Sequence, residues 1–175
     1  MSYIVVDVEA DGPIPYKYSM VSFGAVLLDG ALDKTFYGRV RPISDTWIPE
    51  ALAVSAITRA EHEAFEDPAL EMERFRAWLA ANSKGKPVFI SDNVAFDWQW
   101  INYYFHFFLH NNPFGFSGRR IADLYCGMKM NTSLTQEWKK LYRRTAHDHN
   151  PVNDAMGNAE ALLQLNKLGL KMPIG

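Results

Sequence analysis

The stretch Tyr3-Ile4-Val5-Val6-Asp7-Val8-Glu9 is a β-branched apolar run that two acidic residues interrupt. It predicts a strand buried on both faces, because it is short and almost continuously apolar and because the turn-forming sequence Asp11-Gly12-Pro13 follows it. Side chains alternate along a strand, so Asp7 and Glu9 project from the same face. We therefore expect two carboxylates side by side on a buried strand.

An ionised carboxylate that is removed from water is costly unless a positive charge compensates it, and this run contains no Lys or Arg. A bound divalent cation would supply that charge. The alternative is that Asp7 lies half in water and caps the next loop. The spacing alone leaves both interpretations open, because Glu61 and Glu63, and Glu71 and Glu73, repeat it in segments that we expect to be solvated helix faces.

The composition predicts an ordinary globular chain. A length of 175 residues fits one domain over residues 1–175, and shares of 48% apolar and 22% charged residues are usual for a soluble protein. The net charge of -2 means that binding to nucleic acid would depend on metal ions and on a local basic patch. The lone Cys126 and the lack of a secretory or membrane-spanning stretch predict a cytoplasmic protein without a membrane partner.

The remaining pattern predicts a β-meander followed by helices that alternate with short strands. The further strands are predicted at residues 20–28, 34–40 and 87–90, with another short strand ending at Ile121. Helices are predicted from Pro49, from Pro68, from Asn93 to about residue 110, and over residues 124–130, 134–142 and 150–168. This order predicts an α/β fold, with a mixed sheet that carries helices on its faces.

Two further acids stand at the starts of predicted helices. In Asn93-Val94-Ala95-Phe96-Asp97 the acid opens a very apolar helix just after a buried strand, so Asp97 should lie near the C-terminal edge of the sheet. In His149-Asn150-Pro151-Val152-Asn153-Asp154 a proline-started helix presents Asp154, and His149 lies on the loop before it. Taken alone, each acid is explained by the helix macrodipole, and His149 by a solvent-facing loop.

In this order the three motifs resemble those of the DEDDh, or DnaQ-like, 3′-5′ exonuclease superfamily. The resemblance extends from Tyr3 to about Leu165 and includes Ile48-Pro49-Glu50 and Ala56-Ile57-Thr58. It implies a ribonuclease H-like fold, in which a mixed five-stranded sheet has an antiparallel meander followed by parallel strands. The predicted order of elements agrees with that fold.

The resemblance implies that four carboxylates hold two divalent cations and that His149 is the general base. The four carboxylates are those of Asp7, Glu9, Asp97 and Asp154. Four converging acids without Lys or Arg partners would repel one another, and bound cations would relieve that repulsion. Oxygen ligands favour Mg²⁺ or Mn²⁺, and an imidazole can accept a proton from water at neutral pH.

The implied activity is hydrolysis of single-stranded nucleic acid from its 3′ end, with release of nucleoside 5′-monophosphates. The likeness to small exoribonucleases favours RNA slightly over DNA. Two alternatives stay open. One is an internal-cutting nuclease of the same fold, and the other is a non-catalytic module that binds nucleic acid or protein.

Substrate contacts are predicted for residues that follow the first motif and for residues within the second motif. The resemblance places Ala10 and Asp11, where the family often has two threonines, beside the terminal nucleotide, together with Asn93. The rings of Tyr16, Tyr18 and Phe96 could flank the terminal bases, although Phe96 also fits a core position.

The basic clusters Lys139-Lys140 and Arg143-Arg144 would bind phosphates if they lie beside the site, and are otherwise a solvated helix face. His147 and Asp148 lack the spacing of the third motif.

The predicted helix over residues 98–109 is apolar almost all round. Its aromatic residues are Trp98, Trp100, Tyr103, Tyr104, Phe105, Phe107 and Phe108. One sheet face cannot cover every side of a helix, so we expect a twofold homodimer to bury the excess.

Overall fold

The computed structural model describes residues 1–174, and its centre is a five-stranded sheet of order β3-β2-β1-β4-β5. Strands β1, β2 and β3 form an antiparallel meander, whereas β4 is parallel to β1 and β5 is parallel to β4. The strands are β1 Ser2–Ala10, β2 Met20–Leu27, β3 Thr35–Arg39, β4 Pro87–Ser91 and β5 Gly118–Arg120. The predicted mixed sheet is thus confirmed.

Helices cover both faces of this sheet. They are α1 Pro49–Val54, α2 Arg59–Glu63, α3 Pro68–Asn82, α4 Val94–Leu109, α5 Ile121–Met128, α6 Glu137–Tyr142 and α7 Pro151–Lys167. One apolar cluster joins Ile4, Val6 and Val8 of β1 to α3 and α4. Tyr3 and Val5 belong to a second cluster with α5, α6 and α7. The alternation along β1 therefore directs Asp7 and Glu9 towards the α7 side.

Some element boundaries differ from the predictions. Helix α5 begins at Ile121, directly after β5, because Ile121 and Ala122 are already buried in the cluster around α7. Helix α6 begins at Glu137, and turns occupy the preceding residues. The predicted solvated face is wrong at Glu71, whose side chain is 2% exposed and forms an ion pair with Arg74 at 2.6 Å.

Helix α7 starts directly above the centre of the sheet. Gly24 of β2 pairs with Asp7, and a Cβ atom at Gly24 would lie 2.2 Å from the carbonyl oxygen of Pro151. The side chain of Asn150 caps the helix by accepting hydrogen bonds from the backbone of Val152 and Asn153. The missing side chain at Gly24 therefore lets the first turn of α7 approach Asp7 closely.

Three of the eight aromatic side chains of α4 are buried within the chain itself, and four more are half-buried. Trp100, Tyr104 and Phe105 are fully buried, and the Tyr104 hydroxyl accepts a hydrogen bond from the backbone of Met20. Helix α3 also packs against α4, so the chain itself covers part of the apolar surface that we expected a second copy to bury. Phe107 stays 55% exposed. In residues 1–174 there is no helix whose length and apolarity would let it traverse a bilayer.

Candidate active site

Three carboxylates meet where the end of β1 faces the first turn of α7. Asp7, Glu9 and Asp154 each offer an oxygen, and these atoms lie within 4.8 Å of one another. Two come from alternate positions of one strand, and the third from the helix that Gly24 allows to approach. Sequence positions almost 150 residues apart along the chain are thereby brought to one point.

Asp97, the fourth predicted acid, lies next to this group but is not one of the residues whose oxygen atoms meet within 4.8 Å. It lies in the first turn of α4, is 3% exposed, and accepts a hydrogen bond of 3.1 Å from the backbone of Val8 through Oδ1. Val8 stands between the other two acids of the strand. The charge of Asp97 also contributes to the raised pKa of Asp7.

The acids are strongly desolvated. Burial raises the pKa of Asp7 well above its usual range, and the nearby charges of Asp97, Asp154 and Glu9 raise it further. Burial and the charge of Asp154 raise the pKa of Glu9 to about 7, and burial raises the pKa of Asp97 to about 8. The Oδ2 atom of Asp154 is buried and has no hydrogen-bond partner. An all-oxygen cluster with raised pKa values and a free buried oxygen fits a hard divalent cation.

Asp154 nevertheless has a cationic partner, which the sequence reasoning missed. Its Oδ1 atom lies 3.0 Å from Nη2 of Arg143 and 2.7 Å from Nδ1 of His147. The expectation of four acids without any Lys or Arg partner is therefore wrong at this residue. The one sequence signal is Gly157 inside α7, where a Cβ would lie 2.6 Å from Nε of Arg143.

His149 stands at the mouth of the cluster. Its backbone is left-handed, with a φ of 60°, and its side chain is 44% exposed. Its Nδ1 atom lies 3.6 Å from Oε1 of Glu9. The ring of His147 lies 4.4 Å from that of His149. The structure therefore brings the predicted histidine to the predicted acids.

Four of the predicted substrate residues lie either in the loop that follows β1 or at the start of α4. Tyr16 is 77% exposed and has a left-handed backbone. Asn93 is exposed at the N-cap of α4 without a capping bond from its side chain, and Phe96 is half-buried against Trp100. Tyr18 is half-buried. Polar and aromatic groups that could meet a nucleotide are thus present here.

Asp11 and Ala10 are placed differently from the prediction. The carboxylate of Asp11 is fully buried, accepts a hydrogen bond of 2.6 Å from the backbone of Ser19, and forms an ion pair of 3.2 Å with Arg59. Ala10 is 8% exposed. A substrate contact through the Asp11 side chain is therefore contradicted, because that side chain holds the loop after β1 in place.

A basic groove lies next to Asp154, lined by Lys139, Lys140, Arg143 and Arg144. Arg143 reaches from this groove to Asp154, while Lys139 forms an ion pair with Asp92 at the end of β4. The predicted basic clusters thus line one surface next to the acids.

Comparisons with known proteins agree with this arrangement. A family model described as the 3′-5′ exoribonuclease Rv2179c-like domain matches residues 2–165. The chain is 36% identical over 176 residues to the 3′-5′ DNA exonuclease Cap18 of Escherichia coli, covering 97% of this chain and 94% of that protein.

Solved structures share the fold at lower sequence identity. The nuclease domain of 3′hExo, a DEDDh family member bound to rAMP, matches with a TM-score of 0.80 and 18% identity over 99% of this chain and 96% of that chain. Exonuclease I of Escherichia coli in complex with a dA16 oligonucleotide matches with a TM-score of 0.68 and 17% identity, over 95% of this chain and 41% of its own. The chain therefore belongs to the family of 3′-5′ exoribonuclease Rv2179c-like domains and is a 3′-5′ exonuclease, and it has the ribonuclease H-like fold of the DEDDh nuclease 3′hExo.

Proposed function

We propose that this exonuclease removes nucleotides one at a time from the 3′ end of single-stranded nucleic acid and releases nucleoside 5′-monophosphates, with RNA as the faster substrate. The observation that carries the proposal is the convergence of Asp7, Glu9 and Asp154 beside His149. The description of the family model supports RNA, whereas the name of the Cap18 relative makes DNA the alternative.

Asp7, Glu9, Asp97 and Asp154 are the residues that would hold two Mg²⁺ or Mn²⁺ ions. When bound, the ions would supply an activated water molecule and would stabilise the leaving 3′ oxygen. The donor set supports this assignment, because it consists of oxygen atoms alone and the carboxylates are desolvated. Arg143 leaves Oδ2 of Asp154 free for such a role.

His149 is the proposed general base. Its ring is exposed to solvent, from which the attacking water comes, and lies beside Glu9. Imidazole is the side-chain group that most often serves as a general base. His147 is the weaker candidate, because its Nδ1 atom is already engaged with Asp154.

Substrate binding would combine stacking with phosphate contacts. The exposed ring of Tyr16 and the half-buried rings of Tyr18 and Phe96 are the proposed stacking surfaces for the terminal bases, and Asn93 offers a free amide. Ala10 would contribute through its backbone, whereas the backbone N–H and carbonyl of Asp11 are already hydrogen-bonded to Ser19 and Ile48. The basic groove is the proposed contact for phosphates on the 5′ side of the cut, which a chain of net charge -2 needs from a local patch.

The predicted homodimer would form through α4, with Phe107 at its centre. Phe107 is 55% exposed and its ring stacks on Tyr103 at 5.2 Å. Light scattering at micromolar concentration should give a dimer that Phe107→Ser converts to a monomer, and a monomeric wild-type protein would defeat the idea. We also propose a cytoplasmic location, which the single buried Cys126 supports.

The experiment that separates this function from internal cutting uses an oligonucleotide labelled on its last internucleotide phosphate. The proposed exonuclease releases the label as a nucleoside 5′-monophosphate from the first time point, whereas an internal-cutting nuclease releases labelled oligomers first. Initial rates on RNA and DNA of one sequence then compare the two sugars directly. Faster hydrolysis of DNA would overturn the preference for RNA and leave the reaction itself intact.

A further inference from the structure

A second cluster of ligating side chains shares Asp154 with the acidic group. His147, His149 and Asp154 each present one ligand atom, and these atoms lie within 4.8 Å of one another. This set contains two imidazoles and one carboxylate, whereas the set of Asp7, Glu9 and Asp154 contains oxygen atoms alone. We propose that the histidine cluster is a separate Zn²⁺ site, and that Zn²⁺ bound there excludes the hard cations from Asp154.

The loop that carries both histidines is fixed to the start of α7. The carboxylate of Asp148 accepts hydrogen bonds from the backbone of Asn150 at 3.0 Å and from Nδ2 of Asn153 at 2.8 Å. The left-handed backbone of His149 turns the chain just before α7. The ligands are therefore held together before any metal arrives, which reduces the entropy lost on binding.

The distances suit a small tetrahedral ion after minor rotation of the side chains. The Nδ1 atom of His147 lies 2.7 Å from Oδ1 of Asp154, and no pair in the cluster exceeds 4.8 Å. Zinc bonds of about 2.0–2.2 Å in a tetrahedron place neighbouring ligand atoms roughly 3.3 Å apart. The required separation falls between the closest and the longest distances of the cluster.

Burial and hydrogen bonding also favour a site with open positions. The side chains of His147 and His149 are 55% and 44% exposed, so solvent can reach the remaining coordination positions. A carboxylate oxygen has two lone pairs, so Oδ1 of Asp154 can ligate zinc in place of its contact with His147 while it keeps the hydrogen bond from Arg143. A three-ligand site with an exposed side is typical of zinc bound with one or more waters.

The choice of metal follows from the donor atoms. Imidazole nitrogen binds Zn²⁺ well and Mg²⁺ poorly, and Zn²⁺ binds mixed nitrogen and oxygen sites more tightly than Mn²⁺. The effect on catalysis rests on the proposed roles of His149 and Asp154. Zinc would occupy the base that accepts the proton and would withdraw a ligand from the all-oxygen set, so the site would act as an inhibitory switch.

Calorimetry of the substrate-free protein with ZnCl₂ tests the site directly. His147→Ala should weaken zinc binding at least tenfold, whereas Asp7→Ala and the control His106→Ala, which removes an exposed histidine outside the cluster, should keep it. Thermal melting without metal establishes that each variant is folded. Unchanged zinc affinity in His147→Ala would overturn the proposal, as would loss of zinc binding in Asp7→Ala alone, because zinc would then lie among the oxygen ligands.

Two further readouts keep this proposal distinct from the nuclease activity. Zn²⁺ should shift the imidazole resonances of His147 and His149 in NMR spectra, and Mg²⁺ should leave them in place; no shift at either ring on addition of Zn²⁺ would overturn the site.

In the Mn²⁺-supported exonuclease assay, normalised to each variant's zinc-free rate, the half-inhibitory zinc concentration should rise at least tenfold in His147→Ala. A protein without nuclease activity that still binds zinc through His147 would refute the proposed function alone. If the protein is an active nuclease and its zinc affinity is unchanged in His147→Ala, the zinc site alone is refuted.

Discussion

Arg143 donates a hydrogen bond of 3.0 Å from Nη2 to Oδ1 of Asp154, and the two side chains are only 10% and 1% exposed. The guanidinium also lowers the pKa of Asp7, against the larger effects of burial and of the other carboxylates. The acidic cluster thus contains one internal positive charge. Gly157 makes this possible, because a side chain there would collide with Arg143.

Replacing Arg143 by Gln should destabilise the metal-free protein more than the metal-bound protein. Loss of a buried partner leaves uncompensated charge, which costs on the order of 3 kcal/mol, whereas bound Mn²⁺ would compensate the same carboxylates. Thermal melting in chelator and in saturating Mn²⁺ measures the difference, with Arg144→Gln in the same groove as control. Equal losses of stability in the two conditions would refute the compensating role.

The proposed roles of His149 and Asp7 predict different defects. His149→Ala should lose about 10²- to 10⁴-fold in turnover, as expected for removal of a general base, and should keep Mn²⁺ binding. Asp7→Ala should lose both, because its carboxylate lies at the centre of the acidic group. Calorimetric Mn²⁺ titrations beside single-turnover rates make the comparison. The same loss of metal affinity in both variants would contradict the assignment.

The metal-free protein should become less stable as the pH rises from about 6.5 to 8. The pKa values of Glu9 and Asp97 are raised to about 7 and about 8 in the folded state, above their values of about 4 in the unfolded chain. The folded state therefore binds more protons in this range, and its stability falls as these groups ionise. Burial lowers the pKa of His62 to about 4, so His62 opposes this trend only below about pH 6.5.

Melting temperatures in chelator should fall by several degrees across that range, since 1 kcal/mol corresponds to roughly 2–4 °C for a chain of this size. Saturating Mn²⁺ should flatten the dependence, because ligand carboxylates must be ionised to bind metal. A melting temperature that rises from pH 6.5 to 8 in chelator would show that the carboxylates are not held in their protonated form.

Gly24→Ala should damage the site from a strand that contributes no ligand. The new Cβ would lie 2.2 Å from the backbone of Pro151, so the start of α7 must move away from the sheet. Overpacking of this kind costs about 1–3 kcal/mol, and the displacement of Asp154 should weaken Mn²⁺ binding. Gly127→Ala is the matched control, because a Cβ there meets no atom within 4 Å. Denaturant unfolding and Mn²⁺ titration should separate the variants, and normal Mn²⁺ affinity in Gly24→Ala would argue against this positioning role.

Much of the fold and the acidic group could be predicted because the signals are local. The alternation along β1 sets the common direction of Asp7 and Glu9, and helix starts after β4 and at Pro151 place Asp97 and Asp154. These patterns follow from strand and helix geometry alone. The order of the motifs then identified the family, which the comparisons confirmed.

What could not be predicted depends on contacts between distant side chains. Asp11 carries the same charge as the other acids, yet it turns inward to Arg59, which is 48 residues away. Helix α3 covers part of the aromatic surface of α4, and the periodicity of α4 could not reveal this contact. Arg143 was placed correctly in a basic cluster, but its bond to Asp154 depends on the path of the loop between α6 and α7.

The proposed reaction is tested by incubating 5′-labelled single-stranded RNA and DNA with the wild-type protein or the Asp7→Ala variant, in Mn²⁺, Mg²⁺ or chelator, and separating the products on a sequencing gel. We expect a metal-dependent ladder that shortens one nucleotide at a time from the 3′ end, forms faster on RNA, and is absent with Asp7→Ala. Intact oligonucleotides in every wild-type lane, or an undiminished ladder with Asp7→Ala, would contradict the proposed reaction.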